Sequence, residues 1–190
     1  MKKCTWALYS QSEEQYHDLE WGVPVHDDRL LFEFLILEGA QAGLSWSTIL
    51  NKREGYSLAF DNFDAERVAG YDNKKINALL ANPDIVRNKL KINAAVINAQ
   101  AFLNIQQAFG GFDGYIWQFV DHRPLHNAWK NAADIPASTR TSELMSKDLK
   151  KRGFKFVGST ICYAYMQATG MVNDHTIDCY RHAEIKTKYS

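Results

Sequence analysis

The sequence is poor in residues that break or staple a chain. Four prolines and 11 glycines among 190 residues exclude collagen-like and low-complexity architectures. Cysteine is scarce and odd in number: Cys4, Cys162 and Cys179 make no disulfide framework, so a reducing, cytoplasmic setting is expected. Neither sign of charge is in excess, with 22 Lys plus Arg against 22 Asp plus Glu. That excludes a polyanion binder working by bulk charge and leaves a local basic patch as the alternative. Long hydrophobic runs are missing as well. The run from Leu30 to Leu37 is interrupted by Glu33 and followed by Glu38, far short of the roughly 20 residues that span a bilayer. The opening Met1-Lys2-Lys3-Cys4-Thr5-Trp6 has no apolar stretch behind its lysines, so neither a secretory signal nor a membrane partner is expected.

What is present suits one globular domain over residues 1–190, since hydrophobic residues are 46% and charged residues 23%. The patterning is helical. Leu30, Leu31, Phe34, Leu35 and Leu37 recur at spacings of three and four, with Asp27 or Asp28 placed to cap. Helices are further expected over 45–60, from Asp64 to Val68, over 73–80, over 86–102, over 114–120, over 142–151 and over 160–168, with a last turn starting near Asn173. Residues 122–138, bearing Pro124 and Pro136, read as irregular. No alternating strand pattern and no internal repeat is visible, so the expected fold is all-α: a single domain of short helices.

Three stretches can carry chemistry. From Leu149 to Thr160 one helix ends, Gly153 and Gly158 follow five residues apart, and another helix opens at Ser159 or Thr160. This is the form of a helix–hairpin–helix spanning about 143–169. Its glycines let backbone N–H groups and a helix N-terminus approach a phosphate. Lys147, Lys150, Lys151, Arg152 and Lys155 make it basic within a neutral chain. Read as chemistry, it grips nucleic-acid backbone without regard to sequence; read as structure, it is a helix end with cations at its dipole. Second, Cys4 and His17 lie near one end and His175, Cys179 and His182 near the other. Cys4, His17, His175 and Cys179 would form a closed tetrahedral set suited to structural zinc, and spacing leaves His182 open in place of His175. A helix would put His175 and Cys179 on one face. Third, Glu38 ends an apolar helix beside Gly39, Gly43 and Trp46, while Trp6, Tyr16 and Trp21 add aromatic faces. A lined cavity and a solvated helix end are both compatible with that pattern.

Taken together, these residues resemble the bacterial 3-methyladenine DNA glycosylase I family. The matching blocks are Tyr16-His17-Asp18 with Glu20-Trp21-Gly22-Val23-Pro24; Leu37-Glu38-Gly39 with Gln41-Ala42-Gly43-Leu44-Ser45-Trp46; Lys52-Arg53-Glu54; Leu149 through Gly158; and Met171-Val172-Asn173-Asp174-His175. The resemblance covers nearly the whole chain. It implies a monofunctional, monomeric repair enzyme that excises 3-methyladenine from alkylated double-stranded DNA and leaves an abasic site, with free 3-methyladenine as product. It further implies a structural zinc on Cys4, His17, His175 and Cys179, which selects His175 over His182, and a base pocket at Glu38, Tyr16 and Trp46 with Trp6 nearby. Members usually carry an aromatic near Glu13, so this chain departs there. The wider superfamily places an acid after the hairpin in a Val-Asp motif. Here Val172 is followed by Asn173, and a one-residue shift on a helix would turn Asp174 by about 100°, so Glu38 is the candidate carboxylate.

A light apparatus suits that chemistry. An N3-alkylated purine is cationic and leaves as a neutral base, so the enzyme must mainly extrude the nucleotide and hold it. Tyr16 and Trp46 offer faces worth roughly 0.5–2 kcal/mol each to a cation. Leu44, with Gly43 in the loop before it, is a candidate wedge into the duplex; its alternative is a place in the core. Gly153, Lys155, Gly158, Ser159 and Thr160 are the expected phosphate contacts. The competing functions are a glycosylase of broader alkylpurine specificity and a non-catalytic DNA-binding module. A zinc hydrolase is disfavoured, because four protein ligands leave no position for an activated water.

Overall fold

Side-chain caps set most of the helix starts in the computed structural model, which describes residues 1–189; Ser190, the last residue of the expected domain, lies outside the described residues. Ser10 accepts from the Glu13 N–H and opens α1 (Gln11–Leu19). Asp27, one of the two expected caps, accepts from the Leu30 N–H and opens α2 (Asp28–Gln41). Ser45, Asp64, Asp72 and Asn88 do the same for α3 (Trp46–Leu50), α5 (Ala65–Ala69), α6 (Asn73–Ala81) and α7 (Lys89–Phe109). Each such cap is worth about 1 kcal/mol. Gly110, at φ +78°, closes α7 in the left-handed conformation that glycine adopts without strain. The remaining α-helices among the described residues are α4 (Arg53–Ala59), α8 (Phe112–Trp117), α9 (Arg140–Lys151), α10 (Ser159–Ala168) and α11 (Tyr180–Lys188).

The molecule is thus a single helical domain, as the patterning implied, but the patterning did not suggest α1 and α11, and three expected elements differ. The helix expected over 45–60 is broken in two, because Lys52 N–H bonds back to the Ile49 carbonyl in a tight turn. The helix α7 starts later than expected and runs on to Phe109. No helical turn starts near Asn173. Val172–Asn173 is instead a short strand, β2, paired in parallel with β1 (Leu125–His126). Both β2 residues are buried, so their backbone groups need partners. The irregular segment supplies them: Leu125 N–H donates to the Met171 carbonyl and Asn127 N–H to that of Asn173.

The helix α2 sets the centre. Every residue from Leu31 to Ala40 is buried, Glu33 and Glu38 included, as a helix apolar on all sides must be. It packs against α7 and α10. Around it lie Phe102, Phe112, Tyr115, Trp117 and Tyr165, all buried. Arg53 ties the layers by donating to Glu20 at 2.6 Å and to Glu33 at 2.7 Å. Among the described residues no helix is long and apolar enough to cross a membrane.

Candidate active site and metal centre

The C-terminal end of α2 opens onto a cavity of about 440 Å³, within the range of roughly 300–1,000 Å³ usual for small-molecule sites. Its walls come from distant parts of the chain: Trp6 and Tyr16 from the N-terminal segment, Glu38 and Gln41 from α2, Trp46 from α3, Tyr163 and Gln167 from α10, and Ile135 from the irregular segment. Trp21 and Glu13 also line it. Another hollow, between α2 and α7, offers about 20 Å³, room for little more than a water.

The four expected aromatic residues meet here. The ring centroids of Tyr16 and Trp46 are 5.2 Å apart, those of Trp6 and Trp21 5.0 Å, and those of Trp6 and Tyr16 6.3 Å. The Glu38 side of the expectation is equally definite. The residue is 4% exposed rather than solvated, and its Oε2 has no hydrogen-bond partner. Loss of water pushes its carboxyl up to about 8. The buried indole Nε1 of Trp46 also lacks a partner. A cavity wall thus carries one unused acceptor and one unused donor, and such groups are costly unless a ligand engages them. Burial holds the Tyr16 phenol far above its ordinary range, so it stays neutral.

The loop after α2 does not pack inward. Gly43 sits at φ +78° with open space where a Cβ would be, and Leu44 is 40% exposed. Lys91 of α7 donates to the carbonyls of Ala40 and Ala42 at 2.8 and 2.6 Å, fixing the loop's approach.

The segment from α9 to α10 is a helix, a tight turn and a helix in contact. Gly153 is at φ +96°, and both it and Gly158 face open space. Gly158 caps α10, whose first residues are Ser159 and Thr160. Lys155 is exposed, as are Lys147, Lys150 and Lys151. Arg152 is otherwise engaged, donating to Asp148 at 2.7 Å and lying over the rings of Phe109 and Tyr115. Two fixings of this turn were not apparent from spacing. Asn98 of α7 accepts from the Lys155 N–H at 2.7 Å and donates to its carbonyl at 3.0 Å, and Ser146 donates to the Val157 carbonyl at 2.6 Å.

At the termini the expected quartet converges. The donor atoms of Cys4, His17, His175 and Cys179 lie within 4.8 Å of one another, all buried. The geometry that brings His175 to Cys179 is not the helical one anticipated: Cys179 is the residue before α11, and His175 lies in the turn before it. The Sγ–N separations are 3.6 Å for Cys4–His175, 3.4 Å for Cys179–His17 and 3.7 Å for Cys179–His175. Metal–sulfur bonds of about 2.3 Å and metal–nitrogen bonds of about 2.0 Å at the tetrahedral angle put S and N about 3.6 Å apart, so the donor set fits a tetrahedral metal ion. The other ring nitrogens are held as well, His17 Nδ1 by Asp18 at 2.8 Å and His175 Nε2 by the Trp21 carbonyl at 3.0 Å, the outer contacts that orient metal-binding imidazoles. The neighbouring Cys179 sulfur pushes the Cys4 thiol up, whereas Cys179 is depressed by the Cys4 sulfur and by both imidazoles. His182 points elsewhere, to the Asn127 carbonyl at 2.7 Å.

Sequence reasoning missed the walls contributed by α10 and by the irregular segment. Tyr163, Gln167 and Ile135 follow no local motif, and only the packing of α10 on α2 brings them to Glu38.

The comparisons with known proteins agree with this geometry. A profile of the methyladenine glycosylase family matches residues 6–182. The chain is 46% identical over 179 residues to DNA-3-methyladenine glycosylase 1 of Escherichia coli (strain K12), covering 94% of this chain and 96% of that protein. It superposes on a crystal structure of 3-methyladenine DNA glycosylase I with a TM-score of 0.92 at 46% identity, covering 94% of this chain and 98% of the other. It also superposes on the 3-methyladenine DNA glycosylase I of Staphylococcus aureus, a structure concerned with 3-methyladenine recognition, with a TM-score of 0.91 at 38% identity, covering 95% and 96%. With the profile spanning almost all of the sequence and the fold shared throughout, the chain belongs to the methyladenine glycosylase family.

Proposed function

We propose that this chain is a base-excision repair glycosylase that hydrolyses the N-glycosidic bond of alkylated DNA and releases 3-methyladenine. The observation that carries the reading is a buried carboxyl with an unused oxygen, set in an open cavity among electron-rich rings. Such a site favours a cation over a neutral base.

The chemistry follows from that preference. The flipped base is positively charged, so it draws Glu38 into its carboxylate form and the carboxyl proton leaves to solvent. Tyr16 and Trp46 offer ring faces to the base, Trp6 and Trp21 back them, and the Trp46 N–H offers a donor. As the glycosidic bond breaks, its electron pair moves to the base and cancels the base's charge. Positive charge grows on the sugar, and the Glu38 carboxylate favours it. Water then adds to the sugar carbon and gives up a proton to solvent, leaving an abasic site.

We assign DNA contact to two exposed features. Leu44, presented by Gly43, fills the gap left by the flipped base. The turn of Gly153, Lys155 and Gly158, with the α10 start at Ser159 and Thr160, takes a phosphate as a helix–hairpin–helix over 143–169. The domain acts as a monomer on double-stranded DNA. The buried quartet holds zinc in a structural role, a clasp between residues 4–17 and 175–179, because two thiolates, two imidazoles and no open position suit that ion.

The test is to incubate the protein with methylated DNA and identify the released bases. Release of 3-methyladenine is expected, with at least a hundredfold loss in Glu38→Gln. Release of no base, or full excision and full base binding by Glu38→Gln, would overturn the reading.

A further inference from the structure

Asp174 is almost completely buried and lies just outside the base cavity. Both of its oxygens are taken. Oδ1 accepts from Asn127 Nδ2 at 2.6 Å and from Trp129 Nε1 at 2.7 Å. Oδ2 accepts from the Tyr163 hydroxyl at 2.6 Å and from Gln167 Nε2 at 2.8 Å. One oxygen therefore faces the irregular segment and the other faces α10. Four donors leave it little capacity to bind an attacking water.

The two sides it joins are both walls of the base cavity. Tyr163 and Gln167 line it from α10, and Ala132, Ile135, Pro136 and Ala137 line it from the strap that follows Trp129. The strap is mostly exposed, so it has little burial of its own to hold it. Its last long-range backbone tie is the Trp129 carbonyl, which accepts from the Ile177 N–H at 2.9 Å. Further along, the Asp134 and Ile135 N–H groups close only local turns onto Asn131 and Ala132. Trp129 is thus the anchor immediately before the wall.

We propose that Asp174 is a positioning residue for the base cavity: it brackets the strap of residues 129–137 to α10 and so sets the distance between two of the walls that grip the flipped base. This rests on the glycosylase reading, and it gives the acidic residue after the hairpin a task other than activating water.

Two variants test it. Asp174→Asn turns one acceptor into a donor that opposes those around it. Trp129→Phe keeps a ring and removes one N–H at a residue that does not line the cavity and is not one of the four candidate metal ligands. Each is compared with wild type for metal content, helical circular dichroism, amide hydrogen exchange over 131–137, binding of free 3-methyladenine, and the kcat and KM of excision from methylated DNA. The expected result is unchanged metal and helix content, faster exchange over the strap, and base dissociation constant and KM raised roughly tenfold, with kcat reduced less than threefold. Faster exchange with base affinity and KM unchanged would overturn the inference, since the bracket would then serve stability alone. A hundredfold fall in kcat with base affinity unchanged would overturn it as well, by giving Asp174 a place in the chemical step. If Asp174→Asn does not fold, Trp129→Phe decides by the same measurements. A wild-type protein that releases no base would fail the glycosylase reading and the inference with it, whereas active wild type beside unaltered variants fails the inference alone.

Discussion

At the scale of single residues the decisive fact is the state of Glu38. Burial raises its carboxyl from an ordinary 4.5 to about 8, so the folded chain holds a proton there that the unfolded chain has already released at neutral pH. The contribution of Glu38 to folding stability is then fully present below pH 4.5 and declines as pH rises through that window toward 8. Glu38→Gln cannot lose that proton. Thermal melts of the two proteins should therefore diverge as pH rises from 4.5 to 8, the variant gaining on wild type by an amount on the order of 4 kcal/mol across the window; parallel curves would contradict it. Activity has the opposite sign. A cationic base needs the carboxylate, so kcat/KM should rise with pH toward about 8 in wild type, and that rising limb should be missing in Glu38→Gln. The aromatic faces at Tyr16 and Trp46 were legible because their blocks are distinctive. The raised carboxyl was not, because burial is a property of packing that no spacing of residues encodes.

Individual elements divide into those that present a contact and those that hold it in place. In the turn before α10, Lys155 is exposed while its backbone is clamped by Asn98 on both sides. The two residues should separate in experiment. Lys155→Glu should weaken binding to DNA of any sequence and lower the slope of log affinity against log salt by about one, with little change in melting temperature. Asn98→Ala strips a buried partner from an N–H and a carbonyl, and should destabilise the domain by about 2 kcal/mol. Equal losses of stability in the two would argue against this division. The ends of α9 and α10 on either side of this turn were readable to within a residue or two, because Gly153 and Gly158 punctuate the chain. Asn98 was not, since it sits in the middle of α7, 57 positions away, and a polar residue on a long helix looks solvated until its partner is known. The strand Val172–Asn173 escaped notice for a similar reason: two residues carry no alternation, and their partner segment reads as loop.

Across the whole molecule, the candidate metal-binding quartet and the aromatic cavity share a support. Tyr16 and His17 are neighbours on α1, the first lining the cavity and the second facing Cys179. Trp6 follows Cys4 by two residues, and Trp21, which lines the cavity, receives His175 Nε2 on its carbonyl. A metal holding Cys4 and His17 to His175 and Cys179 would therefore fix three of the aromatic walls together with the segments that carry these ligands. Metal affinity of this kind is folding free energy, though here a large apolar core exists independently of it. Removing the metal with a strong chelator should lower stability by a few kcal/mol rather than unfold the chain outright, and it should also weaken binding of free 3-methyladenine, because Tyr16, Trp6 and Trp21 lose their common anchor. Cys179→Ser should do the same without chelator and retain less zinc on metal analysis. If base affinity survived while stability fell, the clasp would be an isolated staple; a joint loss marks it as the foundation of the pocket.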